Sequence, residues 1–133
     1  MFIIPSKSIE LMNDLTAVRL YFPIGARAKA TRLWHRLSAP ALGHHLLRAA
    51  HRARIQQAVM HPVSAGYLPG DRLSHQAVEG THLRLPQCIE LIDTESRLRR
   101  FLQDHAEEID KVQVVLYRCE FPLGHTKPSH VEA

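Results

Sequence analysis

The sequence of 133 residues predicts an α+β domain, in which two helices cover one face of a four-stranded antiparallel sheet. Two observations predict this class. Four segments have the apolar alternation or the short apolar runs of strands, and helical periodicity follows the first and the third of them. In addition, the length allows one domain with one hydrophobic core.

The first strand is predicted at residues 16–22, where apolar side chains alternate with polar ones. Two helical stretches follow, 26–38 and 41–54, and Pro40 separates them because it can stand in the first turn of the second. The second stretch carries an apolar stripe made of Leu42, Leu46, Ala49, Ala50 and Ala53.

The second strand is predicted at residues 55–64, where Pro62 indicates a sheet edge or a bulge. Residues 66–85 show no convincing period, and they contain the turn signal Pro69-Gly70-Asp71. We therefore predict a long loop here. Loops of this length inside a compact domain are mostly functional or mobile.

The second half of the pattern has a strand at 87–93, a helix at 94–110 with Thr94 or Asp93 as its N-cap, and a strand at 112–118. The complete order is βαββαβ, the ferredoxin-like arrangement, which places the third strand beside the first and the fourth at the opposite edge. Cys88 and Cys119 then lie on non-adjacent strands. We interpret them as buried apolar residues without a disulfide.

Composition favours some classes of function over others. Apolar residues make up 45% and charged residues 23%, which is ordinary for a globular domain. The formal charge of +4 is spread along the chain, which suits a small anionic ligand or an acidic partner surface. No nucleic-acid-binding motif is visible, and no nucleic-acid partner is predicted. No catalytic motif is visible either, so Glu90 and Asp93 are interpreted as solvated strand and cap carboxylates of a protein that is not an enzyme.

The chain is expected to divide into an N-terminal extension (1–15), one domain (16–121) and a flexible C-terminal tail (122–133). The initial apolar run is too short for a signal peptide or a membrane span, which indicates a cytoplasmic protein. Either Met1 or Met12 could be the natural start.

The run LPQCIELID at residues 85–93, followed by an amphipathic helix with Phe101 and Leu102, resembles a signature of one branch of the PII-like signalling proteins. That branch is a domain family of unknown function. The upstream strand at 18–22 and the glycine Gly66 that opens the long loop fit the same pattern, so the resemblance covers about residues 16–120.

The resemblance implies a homotrimer of ferredoxin-like protomers with ligand clefts between subunits. It implies an adenine nucleotide (ADP, AMP or ATP) as effector, bicarbonate as a possible co-ligand, no required cofactor, and a membrane transporter that the loop contacts according to ligand state. The stretch 26–38 is longer than the family usually carries. The loop also lacks the glycine pattern and tyrosine context of nitrogen-regulatory PII proteins, so control by uridylylation is not expected.

The candidate ligand-binding residues lie mostly in the long loop, where glycines let backbone N–H groups approach phosphate and arginine can bind it with two donors. They are Gly66, Tyr67, Gly70, Arg72, Ser74 and His75, with Arg19 and Arg118 as additional cations. For the last two, we favour the interpretation as partners in surface or interface salt bridges over ligand binding. The loop hypothesis predicts that Arg72→Ala weakens nucleotide binding by about 10- to 100-fold.

The main alternative keeps the fold but makes the protein a trimeric divalent-metal-binding protein of the cation-tolerance type. Ten histidines favour it. His44 and His51 share a helix face but lie two turns apart, about 10 Å, which is too wide for one ion. No metal ligands are therefore assigned within one protomer, and a site at a trimer axis stays open.

Overall fold

Nine elements follow one another along the part of the chain that the computed structural model describes, residues 15–28, 39–77 and 80–123. They are β1 (Leu15–Pro23), α1 (Leu42–Arg52), β2 (Gln57–His61), β3 (Ala65–Gly66), β4 (Ser74–Ala77), β5 (Gly80–Thr81), β6 (Pro86–Thr94), α2 (Glu95–Asp104) and β7 (Gln113–Arg118). Most of the predicted extension (1–15) and tail (122–133) lies outside these described residues.

The main sheet has four strands in the order β2-β6-β1-β7, and all three neighbouring pairs are antiparallel. β6 is the strand predicted at 87–93, and it lies beside β1, with β7 at the edge opposite β2. The predicted α+β fold and strand arrangement are confirmed. Both cysteines are free, as predicted.

The core lies between the helices and one face of the sheet. Val18 pairs with Leu91 and Leu20 with Ile89 across β1 and β6, and all four side chains are buried. They form one apolar cluster with residues of both helices, including Leu46 and Leu98. Both helices therefore pack on the same face, as the βαββαβ order predicts.

The start of α1 is fixed by backbone hydrogen bonds, since Ala41 supplies no side-chain cap. Leu42 N donates to Ala26 O (2.9 Å) and Ala28 N donates to Pro40 O (2.9 Å). The two ends of the 26–38 stretch are thereby held side by side. Residues 26–28 are not helical, so that part of the helix prediction is wrong, and residues 29–38 lie outside the described residues. Ala53, predicted on the apolar stripe, is exposed.

β2 is an edge strand and ends immediately before Pro62, which agrees with the predicted edge position. The stretch predicted as an irregular loop contains a small antiparallel sheet in the order β3-β4-β5. Its first pair joins Ala65 to His75 and Gly66 to Ser74. The prediction of a structureless loop is wrong here because strands of two to four residues are too short to show a period.

α2 begins after Thr94, whose hydroxyl accepts a bond from Arg97 N (3.4 Å), so the predicted N-cap is confirmed. Asp93 supports the same turn: its carboxylate accepts from Thr94 N (2.7 Å) and Gln56 N (2.8 Å), and the residue is 3% exposed. The interpretation of Asp93 as a solvated carboxylate is therefore wrong. The helix ends at Asp104, earlier than predicted, and residues 105–111 form turns.

No helix among the described residues is both long enough and apolar enough to span a membrane.

Candidate functional site

A cleft of about 480 Å³ lies where β1 ends, and we refer to it below as the cleft. Its apolar lining includes Phe22, Leu42 and Val112. Its charged lining comprises the cations Arg27, Arg84 and Lys111 and the acids Glu108 and Asp110. The cleft thus combines an apolar surface with three positive and two negative side chains, a composition typical of sites for small polar ligands.

One wall of the cleft depends on a close approach between two turns. Ile24 N donates to Leu85 O (2.8 Å) and Gly25 N donates to Leu83 O (3.0 Å). A Cβ atom on Gly25 would lie 3.0 Å from the Cβ of Leu83 and 3.1 Å from its carbonyl oxygen. A side chain at this position would require Leu83 to shift by a few tenths of an ångström. The chain segment that follows β1 therefore packs closely against the end of the β2–β6 connection.

Arg84 links the cleft to the β2–β6 connection. Its Nη2 donates to both carboxylate oxygens of Asp71, at 2.9 and 2.7 Å. The Arg84 side chain is 55% exposed and that of Asp71 is 18% exposed. A cation that lines the cleft is therefore also the partner of an acid in the turn predicted at Pro69-Gly70-Asp71.

Glu108 joins the cleft to α1. His45 Nε2 lies 2.5 Å from Glu108 Oε2, and His105 Nδ1 lies 3.5 Å from the same oxygen. His105 Nδ1 is buried and has no hydrogen-bond partner within the described part of the chain. Two imidazoles and a carboxylate thus come together beside the cleft. Even so, among residues 15–28, 39–77 and 80–123 no group of three His, Cys, Asp or Glu side chains is arranged to hold a metal ion.

A second polar cluster lies on the sheet face opposite the helices, the open face, which carries Arg19, Val59, Glu90, Val115 and Tyr117. Arg19 Nε and the Tyr117 hydroxyl both donate to Glu90 Oε2, at 2.8 and 3.0 Å. The Arg19 guanidinium also lies 5.4 Å from the centre of the Tyr117 ring. These contacts make Glu90 a paired carboxylate, and its interpretation as a solvated one is wrong.

The electrostatics of the open face favour an ionised Glu90. The bond from Arg19 lowers the pKa of Glu90 below its usual value, although partial burial opposes that shift. Burial, followed by the bond to Glu90, raises the pKa of Tyr117. Burial also raises the pKa of Cys88, which lies in the same region, so its thiol is a poor nucleophile at neutral pH. The charges of Arg19 and Glu90 therefore neutralise each other, while the Tyr117 hydroxyl and the Cys88 thiol beside them are protonated.

None of the eight predicted ligand-binding residues lines the cleft, and six of them lie within residues 66–75 of the β2–β6 connection. Gly66, Ser74 and His75 are neighbours in the β3–β4 pair, and Gly70 occupies a left-handed conformation (φ 83°) that favours glycine. Tyr67 and Arg72 are exposed on the segment between these strands.

The two additional cations also lie apart from each other. Arg19 pairs across the sheet with Val115, whereas Arg118 pairs with Thr16. Because successive side chains alternate between sheet faces, Arg19 and Arg118 belong to opposite faces. Arg19 is held by Glu90, in agreement with the interpretation as an ion-pair partner.

The cleft residues were missed in the sequence because they lie in turns. Arg27 and Glu108 stand in stretches that were predicted as helices, 26–38 and 94–110, but the structure places both residues in connections. Arg84 and Lys111 belong to connections that carry no motif. Their approach depends on the pairing of residues 24–25 with residues 83–85, which no local pattern reports. The one available signal is the glycine at position 25 directly after a strand.

These features define a ferredoxin-like α+β domain with a charged cleft at the end of its first strand. The family model DUF190, described as "Uncharacterized ACR", matches residues 31–121, and the chain belongs to this family. The resemblance stated from the sequence, to a domain family of unknown function, is thereby confirmed. No curated protein matches the chain.

Solved structures that are similar to this chain include the following three. A protein of Thermus thermophilus, named as a PII-like signaling protein, is 17% identical, with 77% of this chain and 82% of that chain covered and a TM-score of 0.45. An EthD-like protein from Ralstonia eutropha is 13% identical, with coverages of 80% and 92% and a TM-score of 0.41. An amidase of the hydantoinase/carbamoylase family from Burkholderia phymatum is 16% identical, with coverages of 80% and 28% and a TM-score of 0.34.

Proposed function

We propose that this chain is a PII-like regulatory protein, not an enzyme, that binds a small anionic effector in the cleft. The observation that carries the proposal is the presence of Arg27, Arg84 and Lys111 around one cleft of about 480 Å³ with an apolar lining. This volume falls within the range of roughly 300–1,000 Å³ that is typical of small-molecule sites. An adenine nucleotide (ADP, AMP or ATP) is the first choice of effector.

The lining supports a nucleotide because it offers separate partners for the parts of such a ligand. Arginine and lysine donate to phosphate oxygens, and arginine does so with two parallel bonds. Phe22, Leu42 and Val112 supply apolar surface for a base. Glu108 and Asp110 are acceptors suited to hydroxyl or amino groups.

The family resemblance supports the remaining parts of the proposal. The protein assembles as a homotrimer, a neighbouring subunit completes each cleft, and a membrane transporter is the regulatory target. Bicarbonate is the candidate co-ligand. Tyr67 and Leu73, which are 66% and 61% exposed, supply apolar surface for the contact with the target. Tyr67, which was predicted to bind ligand, would contact the partner instead.

The test is calorimetric titration of the protein with ATP, ADP, AMP and cyclic AMP, with and without bicarbonate. We expect micromolar binding of one adenine nucleotide per subunit. Arg84→Ala and Lys111→Ala should each weaken that binding by about 10- to 100-fold, because each removes a charge-assisted bond.

Arg72→Ala is the matched control. Arg72 is also an exposed arginine of the β2–β6 connection, but it does not line the cleft. If the nucleotide binds in the cleft, this variant should have an unchanged dissociation constant. If it binds in the loop, the variant should bind the nucleotide about 10- to 100-fold more weakly. Loss of binding in Arg72→Ala with normal binding in Lys111→Ala would move the ligand site from the cleft to the loop.

The alternative of a divalent-metal-binding protein has one observation in its favour, the approach of His45 and His105 to Glu108. A metal ion would require these side chains to rearrange or a neighbouring subunit to add a ligand. Titration with Zn²⁺ tests this alternative, with His45→Ala compared with His44→Ala. Equal heats for the two variants and the wild type would reject it.

A further inference from the structure

We infer that the effector and Asp71 compete for Arg84, so that an anion in the cleft releases the segment 67–73, which we call the tip. This inference rests on the proposed function, because it describes how binding in that cleft is transmitted. It adds a named switch: the Arg84–Asp71 ion pair is present without effector and is exchanged for an Arg84–effector contact when the effector binds.

Arg84 can make this exchange because its backbone is fixed and its side chain is free to move. Its neighbours Leu83 and Leu85 accept backbone bonds from the chain after β1, and its own N–H donates to His82 Nδ1 (3.1 Å). The side chain is more than half exposed. Rotation of the guanidinium from Asp71 into the cleft therefore needs no change in the cleft wall.

The two ends of the tip are held together by a short strand pair. The β3–β4 pair matches Ala65 with His75 and Gly66 with Ser74, and Gln76 N donates to Ser64 O (2.8 Å). Beyond these pairs, the tip contains a turn closed by Asp71 N and Leu68 O (2.9 Å). Asp71 also extends out of the turn to Arg84, 13 residues further along the chain. Loss of that pair would leave the base of the tip intact and loosen its centre.

The charges favour replacement of Asp71 by the effector as the partner of Arg84. A phosphate group carries more negative charge than one carboxylate and offers more acceptor oxygens for the guanidinium. The Arg84–Asp71 pair is partly exposed, and such pairs contribute little to stability, so displacing it costs little. Because coupling is reciprocal, any variant that removes Asp71 as a competitor must also tighten effector binding.

The consequence for a partner lies in the exposed apolar residues of the tip. Tyr67 and Leu73 flank the turn that contains Asp71. Their position relative to the domain depends on whether Asp71 holds Arg84. The occupancy of the cleft is thus reported at a surface that a target protein could contact.

The experiment combines ATP titration with hydrogen exchange of the peptides that cover the tip, and it compares the wild type with Asp71→Asn. In the wild type, ATP should increase exchange in the tip. Without ATP, Asp71→Asn should already show that higher exchange, and ATP should not change it further. The same variant should bind ATP about two- to fivefold more tightly, the effect of removing one exposed ion pair.

Glu107→Gln is the matched control, because it removes one exposed carboxylate that does not line the cleft. Unchanged tip exchange on ATP binding, or equal ATP affinity for Asp71→Asn and Glu107→Gln, would overturn the inference and leave the proposed function standing. If ATP neither binds the wild type nor changes its exchange, both the inference and the nucleotide proposal fail.

Discussion

Glu90 shows how one side chain stabilises the open face of the sheet. It lies at the centre of β6 and is only 14% exposed, with bonds from Arg19 and Tyr117 and with His61 Nε2 3.9 Å away. A partly buried carboxylate is acceptable in this position because donors surround it. The same donors make its ionisation part of folding stability.

We predict an acid-dependent loss of stability that originates at Glu90. Its pKa is lower in the folded protein than the ordinary value of 4.5, so the ionised form is favoured by folding. The stabilisation is therefore complete above about pH 4.5 and is lost as the pH falls through the lower folded-state pKa. Urea unfolding of the wild type and Glu90→Gln at neutral pH and at about pH 3.5 measures this loss.

Glu90→Gln should be less stable than the wild type at neutral pH, and the difference should shrink in acid. Glu107→Gln, which changes an exposed carboxylate, should follow the wild type at both pH values. A constant difference between Glu90→Gln and the wild type across this range would show that Glu90 does not supply the pH dependence.

At the scale of elements, the junction between β6 and α2 is set by two consecutive side chains with different tasks. Asp93 is buried and accepts two backbone N–H bonds, one from α2's own start and one from Gln56 ahead of β2. Thr94 caps the helix through a longer bond of 3.4 Å. Asp93 therefore ties two elements together, while Thr94 acts on one.

We expect Asp93→Ala to destabilise the protein by about 2–4 kcal/mol, because it leaves two backbone donors without their partner. Thr94→Ala should cost about 0.5–1 kcal/mol, the usual effect of a lost N-cap, reduced by the length of the bond. Urea unfolding of both variants at neutral pH measures the difference. Equal costs would mean that Asp93 acts only as a second cap.

The elements also show what the sequence predicts and why. The four main strands and both described helices were predictable because apolar side chains recur with a clear period, as in the alternation from Val18 to Phe22. The positions of strand and helix ends differed by a few residues, as at Asp104. β3, β4 and β5 were not predictable, since strands this short have no period to detect.

The residues that line the cleft were not among those predicted from the sequence. The sequence indicated the β2–β6 connection as functional, but it selected residues by type, such as Arg72 and His75. The cleft depends instead on Arg27, Arg84 and Lys111, which three separate turns bring together. The three cations come together because of tertiary contacts between these segments, and such contacts cannot be predicted from residue types alone.

At the scale of the whole molecule, the fold presents two distinct polar surfaces, one on the sheet face opposite the helices and one at the end of β1 beside the start of α1. The open face carries the neutralised Glu90 cluster, and the cleft at the end of β1 carries cations beside an apolar lining. The family to which the chain belongs assigns no function to either surface. The cleft has the more suitable chemistry for an anion because three cations line it, whereas the main cation of the open face, Arg19, is paired with Glu90.

The central claim, that an anionic effector occupies the cleft, is tested most directly by methyl NMR during titration with ATP. Leu42, Leu83 and Val112 report on the cleft, and Val59, Ile92 and Val115 report on the open face. We predict saturable shifts of the methyl signals of Leu42, Leu83 and Val112. The methyl signals of Val59, Ile92 and Val115 should stay unchanged. Shifts at Val59 and Val115 with none at Leu42 and Val112 would contradict the claim and place the ligand on the open face.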